Sequence, residues 1–250
     1  MYNFVYEKAN TLEEVEKILN ENEESKILAG GQTLIPTMKQ RLASPSTLID
    51  ISDINELNFI NDNGDTITIG ATTTHNEVLS SEIVQSKIPS LAALAEGIGD
   101  PHVRNMGTIG GSISNNDPTA DYPTACLSLK AKIKTNKKEI SAEDFFIGLF
   151  ETALEENEIV ISVEFCIPQK ASYMKFPNPA SRYAMAGVYV SVFDDGINVS
   201  VTGASENGVF KWTEMEDALT DELTIEKAKS IKLSSEEVMS DIHADSAYRA

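Results

Sequence analysis

Apolar and polar positions along this chain follow two periods, and the changes between them mark out its elements. Leu12, Val15, Ile18 and Leu19 recur at the spacing of one helical face, behind Thr11 and Glu14, which are placed as a capping box. Lys26 to Ala29 reads as a short strand running straight into Gly30-Gly31-Gln32-Thr33. Leu34 to Leu42 then reads as a helix and Thr47 to Ile51 as a second strand. Asn58 to Ile69 alternates about Asn63-Gly64, a dipeptide suited to a type I′ hairpin turn. Thr74 and Glu77 make a second capping box, and Pro89 to Glu96 a short helix. Gly97 to Pro118, rich in Gly, Asn and Asp, reads as one long polar loop of the kind that carries function.

Asp121 to Leu129 is predicted as a buried helix, and Ala131 to Thr135 and Ile159 to Ile167 as strands flanking a helix capped by Ser141. The texture changes after Pro168. Tyr173–Phe176, Gly187–Phe193 and Ile197–Ala204 read as strands, with turns at Asp195-Gly196 and Asn207-Gly208. Short helices are predicted near Glu214–Leu219, Ile225–Ala228 and Glu236–Met239. A domain boundary is expected near residue 170, and no internal repeat, low-complexity tract or long linker is visible.

Composition narrows the class. The chain has 250 residues, 41% hydrophobic and 24% charged, as in ordinary globular proteins. It has no apolar run of about 18 residues, so no membrane span is expected. No basic region followed by an apolar stretch opens the chain, so no signal peptide is expected and a cytoplasmic location follows. A net charge of −19 argues against nucleic acid or an anionic membrane as partner. Solubility or a basic protein partner would both account for it. Cys126 and Cys166 form no CxxC, and His75, His102 and His243 are scattered, so neither an iron–sulfur cluster nor a structural metal site is expected. Both cysteines are expected as small apolar groups in the core.

Candidate chemistry lies in two glycine pairs. Ala29-Gly30-Gly31-Gln32-Thr33 follows a strand and precedes a helix, where glycines admit close approach of a ligand and successive amides can hold an anion. Gly107-Thr108-Ile109-Gly110-Gly111-Ser112 repeats the device. Two such nests in one domain can grip the two phosphates of a dinucleotide, through amide dipoles more than cations in so acidic a chain. A structural turn is the alternative for either loop alone. Neither matches GxGxxG or GxxxxGK[ST], so the Rossmann and Walker classes are not supported.

The segments Ala29 to Pro36 and Thr108 to Asp121 resemble the two FAD-pyrophosphate loops of carbon monoxide dehydrogenase medium subunits, within the carbon monoxide and xanthine dehydrogenase family of molybdenum hydroxylases. Ile69 to His75, Phe150 to Leu154 and Lys175 to Ala184 also resemble that family, in the same order, so that the likeness covers nearly the whole chain. It implies an α+β protein with a two-lobed FAD-binding domain of the vanillyl-alcohol-oxidase (PCMH) type over residues 1–170, its lobes about 1–57 and 58–170. A small antiparallel sheet with helices over 171–250 is implied to follow. Family members continue through a further helix beyond Asp245 to Ala250, so a shortened second domain or a truncated gene is expected.

The resemblance further implies a flavoprotein subunit that accepts electrons from a small subunit with two-iron two-sulfur clusters and passes them to a quinone, NAD or oxygen. A large subunit with the molybdenum cofactor would oxidise the substrate, and the complex would be a dimer of heterotrimers. Carried over by position, Ala29, Gly30, Gly31, Gln32, Thr33, Thr108, Ile109, Gly110, Gly111 and Ser112 hold the pyrophosphate. Asn115 and Asp121 contact FAD, Val160 lies near the flavin ring, Lys175 beside it and Tyr183 against its face. Arg182 stands where the family commonly has an acidic residue, and Gln32 where many members have His. Plainer roles stay open: a solvated strand lysine for Lys175, a core aromatic for Tyr183, a helix cap for Asp121 and sheet core for Val160. His75 and His102 suit local hydrogen bonding or proton transfer, and Arg104 a phosphate contact or a brace for its loop. Two other functions compete, a stand-alone FAD-dependent oxidoreductase and a flavin-free assembly subunit. The first lacks a convincing acid–base group, and the second gives no reason for two intact glycine pairs.

Overall fold

The structure, a computed structural model, describes residues 1–250 apart from the side chain of Glu237. The chain begins with β1 (Val5–Lys8), α1 (Leu12–Glu21), β2 (Ser25–Leu28), α2 (Leu34–Lys39) and β3 (Thr47–Asp50). Thr11 caps α1 by accepting from the Glu14 amide. The Glu14 carboxylate reaches one residue further back than a capping box requires, to the Asn10 amide at 2.7 Å. Val15 and Leu19 of α1 face Ile49, Ile51, Ile54 and Leu57, closing a small core over a three-stranded parallel sheet of order β1-β3-β2. Parallel neighbours need a crossover. That from β2 to β3 carries the first glycine pair, at the carboxyl end of β2, and its helix α2 is shorter than the pattern suggested.

The middle of the chain runs β4 (Ile60–Asp62), β5 (Thr66–Gly70), α3 (His75–Ser80), α4 (Glu82–Lys87), α5 (Pro89–Glu96), α6 (Pro101–Arg104), α7 (Ile109–Asn115) and α8 (Tyr122–Ser128). It continues as β6 (Lys132–Thr135), β7 (Glu139–Ser141), α9 (Ala142–Phe145), β8 (Phe146–Gly148), β9 (Glu151–Thr152) and β10 (Val160–Cys166). Its five-stranded antiparallel sheet has the order β4-β5-β10-β6-β7. Ile67, Ile69, Ile133, Val163 and Phe165 from that sheet meet α5, α7 and α8 in the largest core.

Three expectations need correction here. The β4–β5 hairpin is closed by the Asn63 amide on Thr66 O, so Gly64 and Asp65 are its central residues. Among them only Gly64 has positive φ, whereas type I′ needs two such residues. Gly97 to Pro118 is not one loop, because Asp100 caps α6 and Thr108 caps α7. Cys126 is buried as expected, but Cys166 is only half-buried, at the end of β10.

The last part is β11 (Lys170–Pro177), β12 (Ala184–Phe193), β13 (Gly196–Thr202), β14 (Phe210–Lys211), α10 (Thr213–Asp221), α11 (Ile225–Ser230), a 3-10 turn at Ser235–Glu237 and α12 (Ser246–Arg249). Its antiparallel sheet has the order β11-β12-β13-β14. One face meets α10 through Ile197, Val199, Met215 and Leu219. The other sends Tyr189 into the core of the middle lobe, where its hydroxyl lies 2.6 Å from Ser90 Oγ. No helix among the described residues is long and apolar enough to cross a membrane.

Candidate functional site

Three segments far apart in sequence meet at one cleft. Ala71 to His75 runs antiparallel to Gly107 to Gly110. The Ile109 amide donates to Thr73 O (3.1 Å), the Gly110 amide to Ala71 O (2.9 Å) and the His75 amide to Gly107 O (2.9 Å). Gly30 is pressed against this pair, and a Cβ added there would lie 1.9 Å from Met106 O and 2.8 Å from Gly107 Cα. Gly110 is equally obligatory, since its added Cβ would fall 2.6 Å from Ala71 Cβ. Only glycine lets the backbones come so close.

The resulting cleft of ≈ 340 Å³ is lined by Ala29, Gly30, Thr72, Thr74, Met106 and Thr108, with Ser52, Asn58, Asn76, Glu77 and Asn105 around them. A larger hollow, ≈ 390 Å³, lies elsewhere between Glu16, Asn20, Asn136 and Asn157. Its asparagines are already engaged: Asn136 Nδ2 donates to Glu16 Oε1 and Asn157 Nδ2 to Asn20 Oδ1. We place the functional site in the first cleft, on the chemistry of its walls.

The two glycine pairs differ there. Among the described residues, the amides of Gly30, Gly31, Gln32 and Thr33 donate to no protein acceptor. Gly31 sits at φ +69°, and the Thr33 hydroxyl makes no capping bond. In the second loop, the amides of Ile109, Gly110, Gly111 and Ser112 are all engaged, the last two by Thr108 Oγ1 and Thr108 O. Its glycines allow close packing, and Thr108 is the residue of that loop that lines the cleft. Ile109 is buried, Gly111 exposed, and Ser112 and Asn115 half-buried.

Thr72 is the residue that motif reading passed over. Its hydroxyl is buried in the cleft wall without a hydrogen-bond partner, an arrangement that a bound polar group would relieve. Its place inside a Thr72-Thr73-Thr74 run was visible in the sequence, but nothing there separates it from its neighbours. Glu77, the one carboxylate on the cleft, is taken up by the Thr74 amide and hydroxyl and by Asn58. Arg104 does not approach the cleft and braces its own segment, donating to Glu96 O and Ile98 O at 3.1 Å.

α7 leads away from the cleft over about 10 Å of helix, toward a second cluster. Lys175 Nζ lies 3.0 Å from Asp121 Oδ2 and donates to Gly97 O at 2.8 Å, with both side chains less than a tenth exposed. Lys175 is therefore no solvated strand lysine. Asp121 precedes α8 but makes no capping bond; it accepts from Tyr173 Oη and Lys175 Nζ. Burial pushes the Asp121 carboxyl up, opposed by the Lys175 charge and the Tyr173 hydroxyl. Tyr183 is half-exposed near Asp117 and Asp121, and Val160 is enclosed in the sheet core. His75, packed on Tyr122 at 5.3 Å between ring centroids, is held neutral by burial and Arg104, its pKa lowered to about 4. His102 is exposed on α6.

A cleft walled by Gly30 and Thr108 at close-packed backbone, with the unengaged amides of Gly31, Gln32 and Thr33 following Gly30 along the chain, suits a nucleotide in a protein of mixed helix and sheet. The comparisons state which one. Residues 2–169 match the family described as the FAD binding domain in molybdopterin dehydrogenase. The glyceraldehyde dehydrogenase medium chain of Sulfolobus acidocaldarius is 40% identical over 195 residues, 76% of this chain and 69% of that one. The carbon monoxide dehydrogenase medium chain of Hydrogenophaga pseudoflava is 37% identical over 79% of this chain and 71% of its own. Among solved structures, carbon monoxide dehydrogenase from the same organism, in a form lacking the Mo-pyranopterin moiety of its cofactor, superposes with a TM-score of 0.91 at 32% identity, covering 99% of this chain and 92% of that one. The chain belongs to the FAD-binding medium subunits of the carbon monoxide and xanthine dehydrogenase family of molybdenum hydroxylases, and its cofactor is FAD.

Proposed function

We propose that this chain takes electrons from an iron–sulfur subunit onto its FAD and passes them to a quinone, NAD or oxygen. The observation that carries the reading is the cleft where Gly30, whose amide is the first of four unengaged ones in its loop, meets the orphaned Thr72 hydroxyl and Thr108. Gly30, Gly31, Gln32 and Thr33, whose main-chain N–H groups have no protein acceptor, would donate them to the pyrophosphate. Thr72 and Thr108 would meet it from across the cleft, and Gly107 and Gly110 let the backbone behind them pack closely. Bound FAD supplies two-electron chemistry. Asn115 and Asp121 would contact the FAD, Lys175 would stand beside its ring and Tyr183 against it, and Val160, enclosed in the sheet core, would back the site.

The partners proposed are a large subunit with the molybdenum cofactor and a small subunit with two-iron two-sulfur clusters, assembled as a dimer of heterotrimers in the cytoplasm. The medium-chain names of the relatives support this division of labour. Residues 1–170 would form the PCMH-type unit and 171–250 the C-terminal one, in keeping with the span matched by the family model and the separate sheet that starts at β11.

The test is co-expression with candidate partner subunits, followed by anaerobic reduction. Reduced iron–sulfur subunit should bleach the flavin absorption of this chain, and organic substrates should bleach it only through the full complex. Bleaching by an organic substrate with this chain alone would overturn the proposal.

A further inference from the structure

Lys175 does not stand alone. Its Nζ is shared between Gly97 O at 2.8 Å and Asp121 Oδ2 at 3.0 Å, and the other oxygen of Asp121 accepts from the Tyr173 hydroxyl. Tyr173 sits two residues from Lys175 on β11, on the same inward face, and the two side chains grip one carboxylate from both ends. Tyr173 is itself fixed. Its ring stacks on Tyr189 at 5.8 Å and 29°, and the Tyr189 hydroxyl is tied to Ser90 at 2.6 Å. Gly187, beside them on β12, leaves room for the hydroxyl, for a Cβ there would lie 2.6 Å from Tyr173 Oη. A carboxylate bound at one oxygen only can swing, and an ammonium paired with it swings too; gripped at both oxygens, it holds its partner at one point.

We propose that Tyr173 is a positioning residue that clamps Asp121 and thereby fixes the Lys175 ammonium toward the flavin site, so that the clamp sets how strongly the protein favours the reduced cofactor. The inference rests on the reading that Lys175 faces the flavin ring. A fixed cation near the ring stabilises the extra negative charge of the reduced form, and a cation free to move stabilises it less. The phenol never touches the cofactor. Its hydroxyl is spent on Asp121, and burial together with the Asp121 charge holds its proton firmly in place.

The test compares Tyr173→Phe, Gly187→Ala and Lys175→Met in the FAD-loaded full chain, reading oxidised-FAD affinity, midpoint potential and unfolding midpoint. Tyr173→Phe is expected to bind oxidised FAD as the parent does and to lose about tenfold in preference for the reduced form, a fall of about 30 mV for a two-electron couple. Gly187→Ala, which keeps the phenol but displaces its hydroxyl, should lower the potential in the same sense, and Lys175→Met should lower it further. A purely structural tyrosine would move the unfolding midpoint and leave the potential alone. If Lys175→Met lowers the potential while Tyr173→Phe and Gly187→Ala match the parent, the clamp is refuted and the placing of Lys175 stands. If Lys175→Met changes nothing, the placing of Lys175 is refuted and the clamp with it. A rise in potential in Tyr173→Phe would show that Asp121 had taken up a proton rather than swung, and would equally overturn the proposal.

Discussion

Gly30 and Met106, 76 positions apart, touch through their main chains: no side-chain atom fits between the α-carbon of Gly30 and the Met106 carbonyl. This contact joins the first glycine loop to the segment that leads into α7. Gly30→Ala should therefore open the cleft rather than merely crowd it. The expected result is loss of bound FAD on purification and a stability decrease of about 1–3 kcal/mol from overpacking, read by flavin absorbance and thermal unfolding. Gly31→Ala, strained by its φ of +69° but clear of backbone, should lose less stability.

Thr72 gives a cleaner separation of binding from folding. Its buried hydroxyl has no partner within the protein, so Thr72→Val removes a polar atom that the apo-protein does not use. The apo form should be as stable as the parent or more so. FAD affinity should fall about fivefold, the worth of one hydrogen bond of about 1 kcal/mol. Equilibrium titration of apo-protein with FAD, paired with urea unfolding, checks both.

His75 predicts an acid limb in stability. Its pKa is about 4 in the folded chain against 6.5 unfolded, so the unfolded state binds the extra proton between those values. The protein keeps full stability from this residue above about pH 6.5 and loses it as the pH falls toward 4, by about 3 kcal/mol in all. His75→Gln should flatten that limb in urea unfolding series across pH 4 to 7.

Asn116 ends α7 in the left-handed region, at φ 43°, and its Nδ2 donates to Gly148 O and Glu151 O at 2.8 Å each. It thereby pins the β8–β9 hairpin beside the helix. Asn116→Ala should lose about 2–3 kcal/mol, from the hydrogen bonds and the backbone strain together. Asn116→Gly should recover about 1 kcal/mol of it. Hydrogen exchange at Phe150, whose amide donates to Asn116 O, should quicken in both.

Much of this architecture was legible because it depends on local signals. Thr11 and Thr74 opened helices where their capping positions placed them, and β5, β10, β12 and β13 followed their apolar alternation. The strands that were missed, β1, β7, β8, β9 and β14, run for two to four residues each, too short to show an alternation, and β1 and β14 also owe their form to partners, β3 and β13, that sequence alone does not bring near. α6 and α7 were hidden by composition, although Asp100 before Pro101 and Thr108 before Ile109 are the start signals that the glycines outweighed. At the cleft, the glycine pairs were visible and the difference between them was not. Whether an amide is free depends on what lies opposite, and Ala71 and Thr73 lie opposite only in the fold. The same limit hid Thr72 and the grip of Tyr173 on Asp121.

Tyr189 carries one more implication. It belongs by sequence to the last sheet and by packing to the middle lobe, where Ser128 Oγ also donates to its carbonyl at 2.9 Å. A chain cut after residue 169 would keep every FAD-loop residue and yet lack this peg, leaving a ring-sized hole and two bare hydroxyl groups in its interior. The two ends of the molecule should then melt together on heating, as one thermal event.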